Sequence, residues 1–214
     1  MKISLTLFTT LLLSLPLFSQ NNAESKAILD KALGGLEASD GIRLSFKTTT
    51  LDPDGTSYYP ESGVALIKGN RFKLEMGSMD IWFDGKTQWV YMKEANEVNI
   101  STPTGQEIAS VSPLAMLSMY KNGYILKAPV SKTVNGTSVY QIEMTPVTGN
   151  KDFGAVTASI NKKNQAVVQL ILTAANGTKT QIDITGYNVN YQFEDTIFRF
   201  DTAQHPDVEI VDLR

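Results

Sequence analysis

Residues able to do chemistry are few in this chain, and their spacing fits no catalytic pattern. The single histidine, His205, sits in Gln204-His205-Pro206, a turn-like stretch where it reads as a surface residue before it reads as a general base. With no cysteine and one histidine, neither a thiolate metal site nor a histidine cluster can be assembled. Asp52 and Asp54 have the opening spacing of a calcium loop, but the oxygen ligands stop at Gly55 and Asp52-Pro53-Asp54-Gly55 reads as a turn. Glu94, Glu97 and Glu107 are scattered carboxylates with no partner at fixed spacing. No Gly-x-Ser-x-Gly elbow, phosphate loop or His-Glu-x-x-His helix occurs. Asn99-Ile100-Ser101, Asn135-Gly136-Thr137 and Asn176-Gly177-Thr178 match the glycosylation sequon, and the last two read better as hairpin turns. The expectation is a protein that is not an enzyme and uses no metal or cofactor.

What the chain offers instead is apolar surface. Ile81-Trp82-Phe83-Asp84-Gly85-Lys86-Thr87-Gln88-Trp89-Val90-Tyr91 holds both tryptophans. Asp-Gly between two aromatic and β-branched arms predicts a type I′ hairpin, with positive φ at both central positions. Both arms are greasy on both faces, unlike a sheet with one wet side. Such a hairpin must be covered twice, by a core on one side and by protein or ligand on the other. The pattern leaves open which face points inward. After Met1 come Met76, Met79, Met92, Met116, Met119 and Met144. They suit either a cavity that adapts to chains of variable length or a core using methionine as gap filler.

The elements that must position this surface follow from periodicity. Residues 1–19 read as a secretory signal peptide: Lys2, an apolar run from Ile3 to Phe18, and Ser19 before the cut. The remainder, 20–214, shows no repeat or linker and reads as one domain. The net charge of −3, one unit more negative without Lys2, argues against nucleic acid and anionic headgroups as partners. Asn21-Asn22 caps an amphipathic helix from about Ala23 to Leu36, ended by Gly34 and Gly35, with Ile28, Leu29, Ala32, Leu33 and Leu36 on one face. From Gly41 onward the pattern is of antiparallel strands in hairpin order, about ten to eleven, closing with short strands at Phe198, Phe200 and Val208–Ile210. They are interrupted by two helical turns, Thr104–Ser110 and Ser112–Tyr120, the second entered through Ser112-Pro113. A meander of that length curls, so the fold class is mainly β with short α: one unclosed antiparallel barrel capped by the N-terminal helix and short lid helices.

The segment Phe83–Tyr91, preceded by Ile67-Lys68-Gly69-Asn70-Arg71-Phe72, resembles the LolA family of periplasmic lipoprotein carriers. The leader, the first helix, Ile42–Phe46, Ser112-Pro113-Leu114 and the closing Phe198-Arg199-Phe200 and Val208–Val211 fit that layout as well. The resemblance implies a periplasmic, monomeric carrier that shields lipoprotein acyl chains in a hydrophobic cavity. It would receive them from an inner-membrane ABC-type exporter and pass them to an outer-membrane acceptor. The alternative is a lipid-binding or lipoprotein-sensing module on the same barrel. By position, Phe46, Leu66, Phe72, Leu74, Ile81, Phe83, Trp89, Tyr91, Ile142 and Met144 would line the cavity. Leu114, Met116, Leu117 and Met119 would form the lid. Many members carry a latch arginine after the strand lysine; here Gly69-Asn70 follow Lys68, which leaves Lys68 and Arg71 as the candidate latch. The interior of the curled sheet is expected to be under-filled.

Overall fold

Helix α1 (Ala23–Glu37) begins where the sequence places it, with the Asn22 side-chain oxygen accepting a hydrogen bond from the Ser25 amide at 2.9 Å. The computed structural model describes residues 22–58, 60–147 and 154–214, so the expected leader at 1–19 lies outside the described residues. α1 runs through Gly34 and Gly35 instead of ending there. Leu36 still has an apolar surface to reach and is buried, which offsets a glycine cost of about 1 kcal/mol each.

Six strands follow as successive hairpins: β1 (Ile42–Leu51), β2 (Glu61–Lys68), β3 (Arg71–Met76), β4 (Met79–Phe83), β5 (Gln88–Met92) and β6 (Glu97–Ser101). Two short helices, α2 (Gly105–Val111) and α3 (Pro113–Ser118), and a 3₁₀ turn over Met119–Lys121 separate them from the second half. That half comprises β7 (Tyr124–Leu126), β8 (Val130–Val134), β9 (Thr137–Pro146), β10 (Val156–Asn161), β11 (Val167–Thr173) and β12 (Lys179–Val189). Two 3₁₀ turns, Asp195–Phe198 and Thr202–Gln204, lead to β13 (Glu209–Asp212).

The strands form one sheet in the order β13-β6-β5-β4-β3-β2-β1-β12-β11-β10-β9-β7, with β8 also on β9. Its two ends do not pair, so the barrel is unclosed and mainly β, as expected. Among the described residues thirteen strands replace the expected ten or eleven, and hairpin order is broken where β7 passes over β8 to pair with β9 and at two long-range seams. β1 pairs antiparallel with β12, which joins two meanders side by side, and β13 lies parallel to β6. Both pairings join segments far apart in sequence, where no turn signal marks them. Phe198 closes a 3₁₀ turn rather than forming a strand.

Local turn chemistry also corrects one expectation. Phe83 pairs with Gln88, so the Asp84–Thr87 connection is a four-residue loop in which Gly85 alone has positive φ, at 100°. The Asp84 carboxylate accepts the Lys86 and Thr87 amides at 3.0 and 2.9 Å and so shapes the loop in place of a second left-handed residue. The type I′ hairpin is at Asn135-Gly136, with φ of 49° and 75°.

Both faces of the β4–β5 hairpin are covered by the chain itself. Ile81 and Phe83 join the core beneath the helices. On the other face, cross-strand neighbours Leu66, Lys73, Trp82, Trp89 and Ile100 run in a row. The C-terminal segment straps across this outer face. Phe200 meets Trp82 edge-on at 5.2 Å, His205 stacks on Phe200 at 4.9 Å, and Phe198 is fully buried.

Candidate functional site

The concave face of the sheet and the three helices laid on it enclose the main core. α1 contributes Ile28, Leu29, Ala32, Leu33 and Leu36, and α3 contributes Met116 and Leu117, followed by Met119 and Tyr120. The short helices hold their shape through caps. Thr104 and Glu107 form a reciprocal capping box on α2, while Ser112 caps α3 with Pro113 in its first turn. From the sheet, Phe46, Phe72, Leu74, Ile81, Phe83, Ile142 and Met144 point into the same core, with the Phe72 and Phe83 rings 5.4 Å apart.

Three residues expected beside them do not. Leu66, Trp89 and Tyr91 sit on the outer face, where Tyr91 packs against Phe200 and His205 at 5.9 and 4.7 Å. A strand shows alternate residues to opposite faces, so Ile67 and Val90 are the inward side chains on β2 and β5. The expected lid residues Leu114, Met116, Leu117 and Met119 do lie over the core, Leu114 half-buried.

The candidate latch also faces outward. Lys68 and Arg71 both engage Asp195, at 2.9 and 3.2 Å, and the Arg71 guanidinium lies 4.9 Å from the Phe198 ring centre. The pair thus fastens the C-terminal strap rather than the lid, and it holds the Asp195 carboxyl below its usual value. What ties the lid is a contact with no periodic signal in the sequence. The buried Tyr120 hydroxyl donates to Asp30 of α1 at 2.6 Å, Asp30 also pairs with Lys26 at 2.7 Å, and Lys121 pairs with Glu37 at 3.1 Å. Burial, and then Asp30, pushes the Tyr120 phenol up, while Lys26, and then Tyr120, holds the Asp30 carboxyl down.

The interior is fuller than expected. Between α1, α3 and the β1–β12 floor lies a narrow apolar crevice of about 10 Å³, room for about one water. A larger space lies at the rim of this core. A groove of about 490 Å³ runs between α2–α3 and the β2–β3 and β4–β5 turns. Leu33, Ile67, Phe72, Phe83, Ile108 and Leu114 wall it, and Asn70 and Arg71 stand at its edge. Sequence pattern marks Leu33 only as part of the apolar face of α1 and does not mark Ile67 or Ile108 as groove residues; the parity of β2 could have shown Ile67. Among the described residues no group of acidic or histidine side chains could hold a metal ion. No described helix is long and apolar enough to cross a membrane.

Comparison with known proteins agrees with this architecture. The family model described as "Outer membrane lipoprotein carrier protein LolA" matches residues 15–167. An outer-membrane lipoprotein carrier protein of Alcanivorax borkumensis is 26 % identical over 188 residues, covering 84 % of this chain and 86 % of that one. One from Shewanella sp. is 26 % identical over 172 residues, 78 % of each. An uncharacterized conserved protein of Thermus thermophilus shares the fold with TM-score 0.56 at 13 % identity, covering 88 % of this chain and 99 % of that one. The Mycobacterium tuberculosis lipoprotein LppX does so with TM-score 0.51 at 14 % identity, covering 81 % of this chain and 98 % of that one. By its fold and by this match along most of its length, the chain belongs to the outer membrane lipoprotein carrier protein LolA family, a family of carriers rather than enzymes.

Proposed function

We propose that residues 20–214, released from a leader at 1–19, act as a monomeric periplasmic carrier. It shields lipoprotein acyl chains between an inner-membrane ABC-type exporter and an outer-membrane acceptor. The observation that carries this reading is the groove of about 490 Å³ with largely apolar walls, opening beneath two short helices. Its volume lies in the range of about 300–1,000 Å³ usual for ligand sites. An acyl chain left in water costs about 0.8 kcal/mol per methylene, so a lipid anchor cannot cross an aqueous gap unshielded. Phe72 and Phe83 receive the chain at the rim. Leu74, Ile81, Phe46, Ile142 and Met144 lie deeper and are reached once α2 and α3, with Leu114, Met116, Leu117 and Met119, move aside. Leu66, Trp89, Tyr91 and Lys68, on the other face, take no part in lining that path, and Arg71 stands only at its edge.

Two measurements test this together. Native mass spectrometry of protein taken from the periplasm, or after delipidation and addition of an acylated lipopeptide, should show a lipid adduct. Depletion followed by membrane fractionation should leave lipoproteins in the inner membrane. A protein that takes up no lipopeptide sinks the reading. Uptake without any change in lipoprotein distribution would favour lipid binding or sensing over transport.

A further inference from the structure

The methionines fall into two groups. Met116, Met119 and Met144 are buried and fill the core. Met76, Met79 and Met92 are half-buried and stand in one row across β3, β4 and β5, at the end of the hairpins away from the groove. Met79 lies directly opposite Met92, and Met76 and Met79 flank the two-residue turn Gly77-Ser78. Each shares the parity of an inward side chain on its strand: Met76 with Leu74, Met79 with Ile81 and Met92 with Val90. All three thioethers are therefore carried on the concave side. Directly opposed residues have Cβ atoms about 4.5–5.5 Å apart, so Met79 is within side-chain reach of both neighbours.

Carboxylates bracket the row. Glu61 accepts the Ser78 amide and hydroxyl at 2.8 and 2.9 Å, which holds it at the turn between Met76 and Met79. Glu97 faces Met92 across the β5–β6 ladder and accepts from the Asn99 side chain at 2.8 Å. Lys93 pairs with Asp80 at 2.9 Å, and Asp80 alternates with Met79 and Ile81 onto the outer face. We propose that Met76, Met79 and Met92 form a binding site for a soft monovalent cation, Cu(I), held by their three thioether sulfurs. Thioethers select Cu(I), and the row offers neither the imidazole nor the thiolate that zinc takes. Met76 and Met92 are two strand spacings apart, roughly 10 Å. Their unbranched side chains lean inward from either side, so the three sulfurs converge above Met79. Glu61 and Glu97, already hydrogen-bonded, supply negative potential around the cation rather than ligands. This site goes beyond the carrier reading and does not depend on it.

The test follows the methionine methyl signals by NMR while the protein is titrated with Ag(I), a redox-inert stand-in, and with Cu(I) kept reduced by ascorbate. The Met76, Met79 and Met92 signals should shift together and saturate at a single equivalent, and those of Met116, Met119 and Met144 should stay in place. Met79→Leu keeps the volume and the apolar surface and removes only the sulfur. It should weaken Ag(I) by at least about tenfold, since loss of even an outer-shell partner does that to a metal site, and leave lipopeptide uptake as in the wild type. Met92→Leu should do the same and decides the matter if Met79→Leu fails to fold. No saturable shift with either ion, shifts spread over the buried methionines as well, or unchanged affinity in the leucine variants would overturn the site. Lipopeptide uptake that falls together with Ag(I) binding would make the row part of the lipid path, and that too would overturn it.

Discussion

The C-terminal strap should come off the sheet as a unit when Phe198 is truncated. Phe198 is fully buried, with Phe193 at 5.3 Å and the Arg71 guanidinium at 4.9 Å, so Phe198→Ala should cost about 3–5 kcal/mol. Beside it the strap is held by the Phe200 contact with Trp82, by β13 on β6 further along, and by the ion pairs of Lys68 and Arg71 with Asp195 and of Arg199 with Asp84, which salt screens. The ion pairs cannot make up the loss, and the Phe200 contact depends on the chain that Phe198 anchors two residues earlier. Even the lower figure, about 3 kcal/mol, is a shift of roughly a hundredfold toward the open strap. The core beneath α1 and α3 lies on the opposite face and does not contain Phe198, so opening should remain local. The chain supplies its own reporters. Both tryptophans sit on the strapped face, and Trp82 is 5.2 Å from Phe200. In Phe198→Ala the tryptophan emission should therefore move to the red at denaturant concentrations below the far-ultraviolet dichroism transition, whereas the wild type should show the two together. Coincident transitions in the variant would refute local release, and an unmoved emission and midpoint would refute Phe198 as the anchor.

Two further outcomes concern the lid. Tyr120→Phe removes the hydrogen bond to Asp30 and should cost about 1 kcal/mol near neutrality, a modest figure because the Asp30 carboxylate is 44 % exposed. The Asp30 carboxyl is held below its unfolded value, so this stabilisation is present above the unfolded pKa and lost as pH falls through the folded one. Urea midpoints of wild type and variant should therefore converge in acid, and a gap that persists there would show that Tyr120 acts through packing alone. Leu117→Ala, at a fully buried site on α3, should lower stability by about 2–5 kcal/mol in denaturant titration, and a cost below that range would mean that α3 is loosely docked.

The sequence made the local pieces legible and left the long-range ones dark. Asn22, Thr104 and Ser112 announced their helices because a cap is a short-range hydrogen bond written in adjacent residues. Tyr140, Ile142 and Met144 alternate with Gln141, Glu143 and Thr145, and period two alone puts Ile142 and Met144 on the buried side of β9. The β1–β12 seam and the parallel β13 depend on packing between distant segments, and no turn encodes them. The hairpin at 81–91 carried a correct message, that it is covered on both faces, without saying by what. Aromatics on both sides gave no polar face to fix the phase, so transferring residues by position put Trp89 and Tyr91 on the wrong side. Lys68 and Arg71 failed for the same reason: their charge was visible, but the outward direction of their side chains was not.

A filled interior is compatible with carrying lipid, and it sets a threshold on the cargo. Met116 and Leu117 are fully buried, and lifting α3 would expose them at about 1.5–3 kcal/mol each, roughly 3–6 kcal/mol together. At about 0.8 kcal/mol per methylene, some four to eight methylenes offset that cost. Under the proposed carrier function, short chains would therefore not open the lid, while a long acyl chain would open it with a surplus. The same cost works in the carrier's favour at release, because α3 regains its burial as the chain departs. A preformed empty cavity would have no such internal competitor. It would admit short chains as well as long ones and would hold either more tightly by the full cost of lid opening. In the proposed mechanism the lid's own apolar residues would thus act as a resident ligand, which the cargo must be long enough to displace.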